Sequence, residues 1–126
     1  MVLNIPNRVV YSPHDYPKSV YAQKWFEAAD YPDNLPALWD EHWGYLVKQQ
    51  IAPVLLGEFG TRLQTSSDQL WLGELADYIQ TNNISFTYWC YNPNSTDTGG
   101  LLKDDWSSVH QEKQAVLGPL QAPFLP

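Results

Sequence analysis

The apolar stretch PVLLGEFGTR, residues 53–62, ends on a carboxylate: Glu58 follows Gly57 and is itself followed by Phe59 and Gly60. Buried strands of parallel sheets read as continuous hydrophobic runs, and α/β sheets and barrels place their chemistry at the carboxyl ends of such strands. Two more short runs end in reactive groups. RVVYS leads through Pro13 into His14-Asp15-Tyr16, and SFTYWC delivers Trp89 ahead of Tyr91-Asn92. A carboxylate can attack an anomeric carbon, a phenol can hold and orient that carboxylate, and an indole can floor a sugar subsite. Taken singly, Glu58 reads equally well as a solvated residue opening a loop, His14 as a turn cap and Tyr16 as packing. Brought to one rim, the four side chains form a set suited to cleaving sugars.

Bringing them together needs the right elements in the right order. Arg8–Ser12 reads as a short strand that stops before Pro13. Residues 13–36 read as a long loop, of the kind that is functional when it occurs inside a compact domain. Leu38, Trp39, Trp43, Leu46 and Val47 recur at helical spacing after Pro36, and the strand Pro53–Glu58 follows. A second helix starts at Ser66, with Ser-Ser-Asp-Gln as its cap and Gln69 at the capping-box offset; Leu70, Leu72, Leu75, Ala76 and Ile79 form its apolar stripe up to Asn82-Asn83. Ser85–Cys90 is a third strand, residues 91–105 a second long loop, and Ser107–Leu117 a last helix closed by Gly118-Pro119.

This β-α-β-α-β-α alternation predicts an α/β fold with parallel strands and right-handed connections. Three parallel strands leave two edges of unpaired backbone groups. The sequence therefore reads as part of a larger closed sheet, associating with further strands or with itself.

The 126 residues carry a formal charge of −7, which supplies no basic stripe for nucleic acid or for an anionic membrane surface. No stretch approaches the roughly 20 apolar residues of a membrane span. Six Trp and eight Tyr are many for this length, and flat aromatic faces stack on sugar rings. Cys90 is the single cysteine, so no internal disulfide forms, and no His/Cys/Asp/Glu spacing suggests a metal or another cofactor. The N-terminal MVLNIPNRVVYS has neither the charged n-region nor the apolar h-region of a secretory signal.

RVVYSPHDYP, APVLLGEFGT and FTYWCYNPNSTDTGGLLKDDW together resemble the last three strand–loop units of glycoside hydrolase family 5, above all its bacterial endo-β-1,4-glucanases. The likeness runs over essentially the whole chain, so residues 1–126 would form one C-terminal portion of a catalytic domain. The resemblance implies a partial (β/α)8 TIM barrel, strands six to eight with their helices, and a β-1,4-glucan substrate. It assigns Glu58 as catalytic nucleophile, Tyr16 as the tyrosine that hydrogen-bonds it and His14 as a lining residue of the catalytic subsite. Trp89 matches the tryptophan beneath the sugar at the cleavage point, which in the family is often joined to its follower by a cis peptide. Asn92 and Lys103 lie on the loop that in relatives touches sugar hydroxyls, and Trp25 is a candidate for an outer subsite. Family members are typically exported.

The mechanism implied is retaining hydrolysis, which needs a second carboxylate as acid/base. In the family that residue is the glutamate of an Asn-Glu-Pro triplet, and this chain contains no such triplet. Asp15, Asp97 and Asp104 are the carboxylates near the rim, and their family counterparts are not acid/base residues. Two other readings stay open: a non-catalytic carbohydrate-binding or assembly fragment, and a related retaining glycanase such as a β-mannanase. Trp39, Trp43 and Trp71 lie on helix stripes and read as core, His42 and His110 as surface residues, and Trp106 as a loop residue.

Overall fold

The computed structural model describes residues 4, 5 and 7–122; the ends of the 1–126 domain reading, and part of the N-terminal stretch read for a signal, lie outside them. Three extended segments run parallel. The central one pairs on one side with the first, through a bridge between Tyr11 and Val54 and the pair β1 (His14–Asp15) and β3 (Glu58–Phe59). On the other side β2 (Leu55–Leu56) pairs with β4 (Ser85–Phe86), and backbone bonds continue this ladder to Trp89, whose N–H reaches the Phe59 carbonyl at 2.8 Å.

The first segment does not stop before Pro13. The Pro13 carbonyl accepts from Gly57 N at 3.0 Å, but proline has no N–H to return, and over this stretch the pairing slips by one residue. The extra residue falls on the central segment, around Gly57. Such bulges bend a strand and re-aim the side chains beyond it. Close approach explains the glycines here: a Cβ on Gly57 would lie 2.0 Å from Ser12 Oγ, and one on Gly60 would lie 1.7 Å from the Trp89 carbonyl oxygen.

The central segment is not sealed on both faces as its apolar run suggests. Val54, Leu56 and Phe59 are buried, whereas Leu55 is half-buried. Alternation along a strand sends these two sets to opposite faces, and only one of them meets the helical layer.

That layer begins with a helical stretch in three parts: α1 (Leu35–Trp39), a π-helical segment (Asp40–Gly44) and α2 (Tyr45–Lys48). It packs Trp39 and Trp43 against Tyr78 of α3 (Ser66–Thr81), with ring centroids 5.2 and 5.3 Å apart. Trp39, Trp43 and Trp71 are core residues. Leu70 is not part of the buried stripe; Trp71 beside it is wholly buried instead. The cap of α3 is Thr65 rather than the Ser66 cluster, because Thr65 has extended backbone and its hydroxyl accepts from Asp68 N at 3.1 Å.

The last helix, α4 (Gln111–Leu117), starts four residues later than its sequence suggests. Residues 105–108 form a turn instead, in which the Asp105 carboxylate accepts from the N–H groups of Ser107 and Ser108, closed by an antiparallel bridge between Leu102 and Val109. Residues 13–36 are likewise not all irregular: they contain β1, a single 3-10 turn, Lys24–Glu27, and the start of α1 at Leu35. Ser19 donates to the Asp68 carboxylate at 2.7 Å, tying this connection to the first turn of α3.

Candidate active site

Strand alternation sends His14 and Tyr16 to one side of the first segment and Asp15 to the other. Asp15 accepts from the Trp71 indole N–H at 2.9 Å, within the core side. Burial raises its carboxyl to about pKa 6, opposed by the hydrogen bonds from Trp71 and Trp39. A carboxylate committed in this way is turned away from the rim.

Register places His14 directly beside Glu58. The Tyr16 hydroxyl donates to Glu58 Oε1, and His14 Nδ1 stands 3.8 Å from the same oxygen. Burial, then the Glu58 hydrogen bond and charge, and then the charge of Asp97 push the Tyr16 phenol well above its ordinary range. The phenol therefore keeps its proton at neutral pH and serves as donor. The Glu58 side chain stays 27% accessible, enough to face a ligand.

Trp89 follows β4 and is 45% exposed, and the peptide bond between Trp89 and Cys90 is cis. Beside it lies a hollow of about 590 Å³ lined by Trp89, Asn92, Ser95 and Asp97 among others. Trp25 is half-buried, edge-on to His42 at 5.9 Å, and shares a smaller hollow of about 210 Å³ with His14 and Tyr16. Glu58, Tyr16 and His14 are thus brought together; Trp25 borders the smaller hollow that His14, Asp15 and Tyr16 also line, and Trp89 and Asn92 line another. Lys103 is not among them. It borders a separate hollow with Arg62, Asp104 and His110 on the far side of the 91–102 loop.

Sequence reasoning missed two contributors to this region, Thr61 and Lys113, and read a third, Asp97, only as a carboxylate near the rim. Thr61, two residues after β3, is fully buried and donates to Asp68 at 2.7 Å while its hydroxyl accepts from Leu63 N, which fixes the chain leaving Glu58. Asp97 brings its charge to Tyr16. Lys113 is a buried cation on α4, legible from its three- and four-residue spacing to Val116 and Leu117. Among the described residues, no group of three or more His, Cys, Asp or Glu side chains could hold a metal ion, and no helix is long and apolar enough to cross a membrane.

The family model for cellulase, glycosyl hydrolase family 5, matches residues 1–95. The chain belongs to glycosyl hydrolase family 5. This family-5 chain is 54% identical over 127 residues to an endoglucanase of Paenibacillus polymyxa, covering 99% of the chain and 32% of that protein. It is 49% identical to endoglucanase G of Acetivibrio thermocellus, over 90% of the chain and 20% of the relative. Its fold is similar to the catalytic domain of the major endoglucanase of Xanthomonas campestris pv. campestris, with TM-score 0.86, 40% identity, and 94% of this chain but 35% of that one covered. An endocellulase of Pyrococcus horikoshii in complex with cellotetraose is similar to the same degree, TM-score 0.86 at 39% identity, with 93% of this chain and 33% of that one covered. The chain therefore spans about a third or less of the length of these relatives. Family-5 endocellulases of this kind have the (β/α)8 barrel fold.

Proposed function

We propose that this chain is the nucleophile-bearing part of a retaining endo-β-1,4-glucanase, a slice of a (β/α)8 barrel made of strands six to eight with their helices. The observation that carries the reading is the Tyr16 hydroxyl on Glu58 Oε1, with His14 3.8 Å from the same oxygen, at the carboxyl ends of neighbouring parallel strands. Glu58 forms a bond to the anomeric carbon as the glycosidic bond breaks. A second carboxylate, about 5–5.5 Å away in retaining enzymes, protonates the departing oxygen and then deprotonates the water that releases the sugar. Tyr16 holds the attacking carboxylate, Trp89 floors the sugar at the cleavage point, and Asn92 and Trp25 contact neighbouring rings. Lys103, on a separate hollow, is left outside this set of contacts.

The acid/base belongs to a segment outside these residues, since no Asn-Glu-Pro triplet is present and Asp15 faces Trp71. Beside β4 an apolar hollow of about 570 Å³, bordered by Ile79, Ile84, Phe86 and Leu120, fits an additional strand or a second copy. An extracellular setting accords with a relative named as the major extracellular endoglucanase, 41% identical over 94% of the chain and 25% of that protein.

Hydrolysis of carboxymethylcellulose tests the reading. The chain supplemented with a segment carrying the acid/base glutamate turns over substrate, and Glu58→Gln abolishes that turnover. Full activity of Glu58→Gln would overturn the assignment. Because this chain lacks the triplet, a second reading as a carbohydrate-binding fragment makes the contrary forecast: cello-oligosaccharide affinity, no turnover with any added segment, and indifference to Glu58 replacement.

A further inference from the structure

The loop that seats Trp89 and Asn92 is gripped by two cations from outside it. On α4, Lys113 occupies the buried stripe and is only 1% exposed, a rare place for an ammonium group. Its Nζ donates to the carbonyl oxygens of Thr98 at 3.2 Å and Gly100 at 2.8 Å. Arg62, just after β3, donates from Nη2 to Ser95 O at 3.3 Å and to Thr96 O from both Nε at 3.1 Å and Nη2 at 2.7 Å. Four backbone carbonyls of residues 95–100 thus converge on two positive side chains. Gly99 lies between the clamps with φ +60, where a Cβ would come 3.8 Å from Arg62 Cγ and 3.9 Å from Lys113 Nζ.

Fixing 95–100 fixes the strand end opposite. Leu101 N donates to Cys90 O at 2.8 Å and Leu102 N to Tyr91 O at 3.0 Å, while Gly100 presses so closely on Asn92 that a Cβ would meet its carbonyl oxygen at 2.3 Å. Residues 90–92 therefore have their position set by a segment that is itself set by Arg62 and Lys113. The same segment carries Asp97, whose carboxylate is oriented by Ser95 Oγ at 2.8 Å and Thr98 N at 3.0 Å.

We infer that Arg62 and Lys113 are positioning residues for the saccharide-binding wall, acting on Trp89 and Asn92 through the carbonyls of residues 95–100. The inference rests on the proposed glucan-binding function only for its ligand. Neither cation lines the hollow beside Trp89; both border the separate hollow that holds Lys103, and they meet the 95–100 loop through its backbone carbonyls. Burial lowers the Lys113 ammonium to about pKa 8, which is the desolvation cost of keeping a cation at this position rather than an apolar side chain.

That cost makes the test discriminating. Lys113→Met fills the slot without a charge, and Lys113→Arg restores a donor cation. Three quantities are compared: thermal midpoint, amide exchange across residues 95–102, and cellotetraose affinity by calorimetry. The clamp predicts that Lys113→Met keeps or raises the thermal midpoint, speeds exchange in the loop, and weakens cellotetraose binding about tenfold, the scale of one charge-assisted hydrogen bond. Lys113→Arg recovers much of the affinity. A merely structural lysine would move stability and affinity in the same direction, with no rescue by arginine. Unchanged loop exchange and affinity in folded Lys113→Met overturns the inference. Should that variant fail to fold, Arg62→Gln on the exposed side carries the same test with the same two outcomes. Wild-type chain that binds no cellotetraose overturns the glucan reading instead, and loop exchange in the variants then decides the clamp by itself.

Discussion

The Tyr16 hydroxyl donates to Oε1 of Glu58 across two neighbouring parallel segments, joining residues 42 positions apart. Neither side chain reaches the other by local geometry. The one-residue slip around Gly57 and the alternation that turns Asp15 away leave Tyr16 and His14 facing one carboxylate.

Tyr16→Phe removes the donor and leaves the ring in place. A hydrogen bond to a charged group contributes roughly 1.5–3 kcal/mol net, so the rate of covalent chemistry at Glu58 is expected to fall about tenfold to a hundredfold. The thermal midpoint should stay within a few degrees of wild type. Equal rates in the two proteins would remove Tyr16 from the site.

Gly60→Ala and Gly57→Ala separate two kinds of crowding. A Cβ at 60 meets the Trp89 backbone carbonyl, which cannot step aside, and the substitution should destabilise by roughly 1–3 kcal/mol or more. A Cβ at 57 meets only the Ser12 hydroxyl, so its cost should be smaller and should shrink further in the Ser12→Ala background. Urea denaturation of the three variants checks the ranking.

Asp15 gives a pH dependence with a definite sign. Its folded pKa, about 6, lies above the ordinary value of 3.8, so between these values the folded state binds more protons than the unfolded chain. Stability contributed by this group is therefore present at low pH and lost as pH rises through about 6. Asp15→Asn, which keeps an oxygen for the Trp71 N–H, should flatten that part of the stability profile and stabilise the protein at pH 7. Denaturation midpoints measured from pH 4 to pH 7 test both expectations.

Much of this was legible because strand ends announce themselves. An apolar run broken by Glu58 between glycines, and Tyr16 two residues beyond His14, carry their placement in their spacing. What stayed hidden depended on contacts between distant segments. Pro13 suggested a strand end, yet its carbonyl still pairs with Gly57 N. The start of α4 is not legible in the sequence because the Asp105 side chain satisfies the N–H groups of Ser107 and Ser108 and draws them out of the helix. Lys113 sat at a core position of its helix, and only the loop carbonyls it meets explain why a cation belongs there. Lys103 lies in the same sequence block as Asn92, but the loop folds back between them and sends it to another hollow.

The most direct test of the account is to expose the chain to 2,4-dinitrophenyl 2-deoxy-2-fluoro-β-cellobioside and find the modified peptide by mass spectrometry. The activated phenolate departs without an acid catalyst, so the nucleophile alone suffices to form the glycosyl ester. One fluorocellobiosyl group on Glu58, lost in Glu58→Gln and slowed in Tyr16→Phe, is the predicted result. Modification of another carboxylate, or equal labelling of Glu58→Gln, would contradict it.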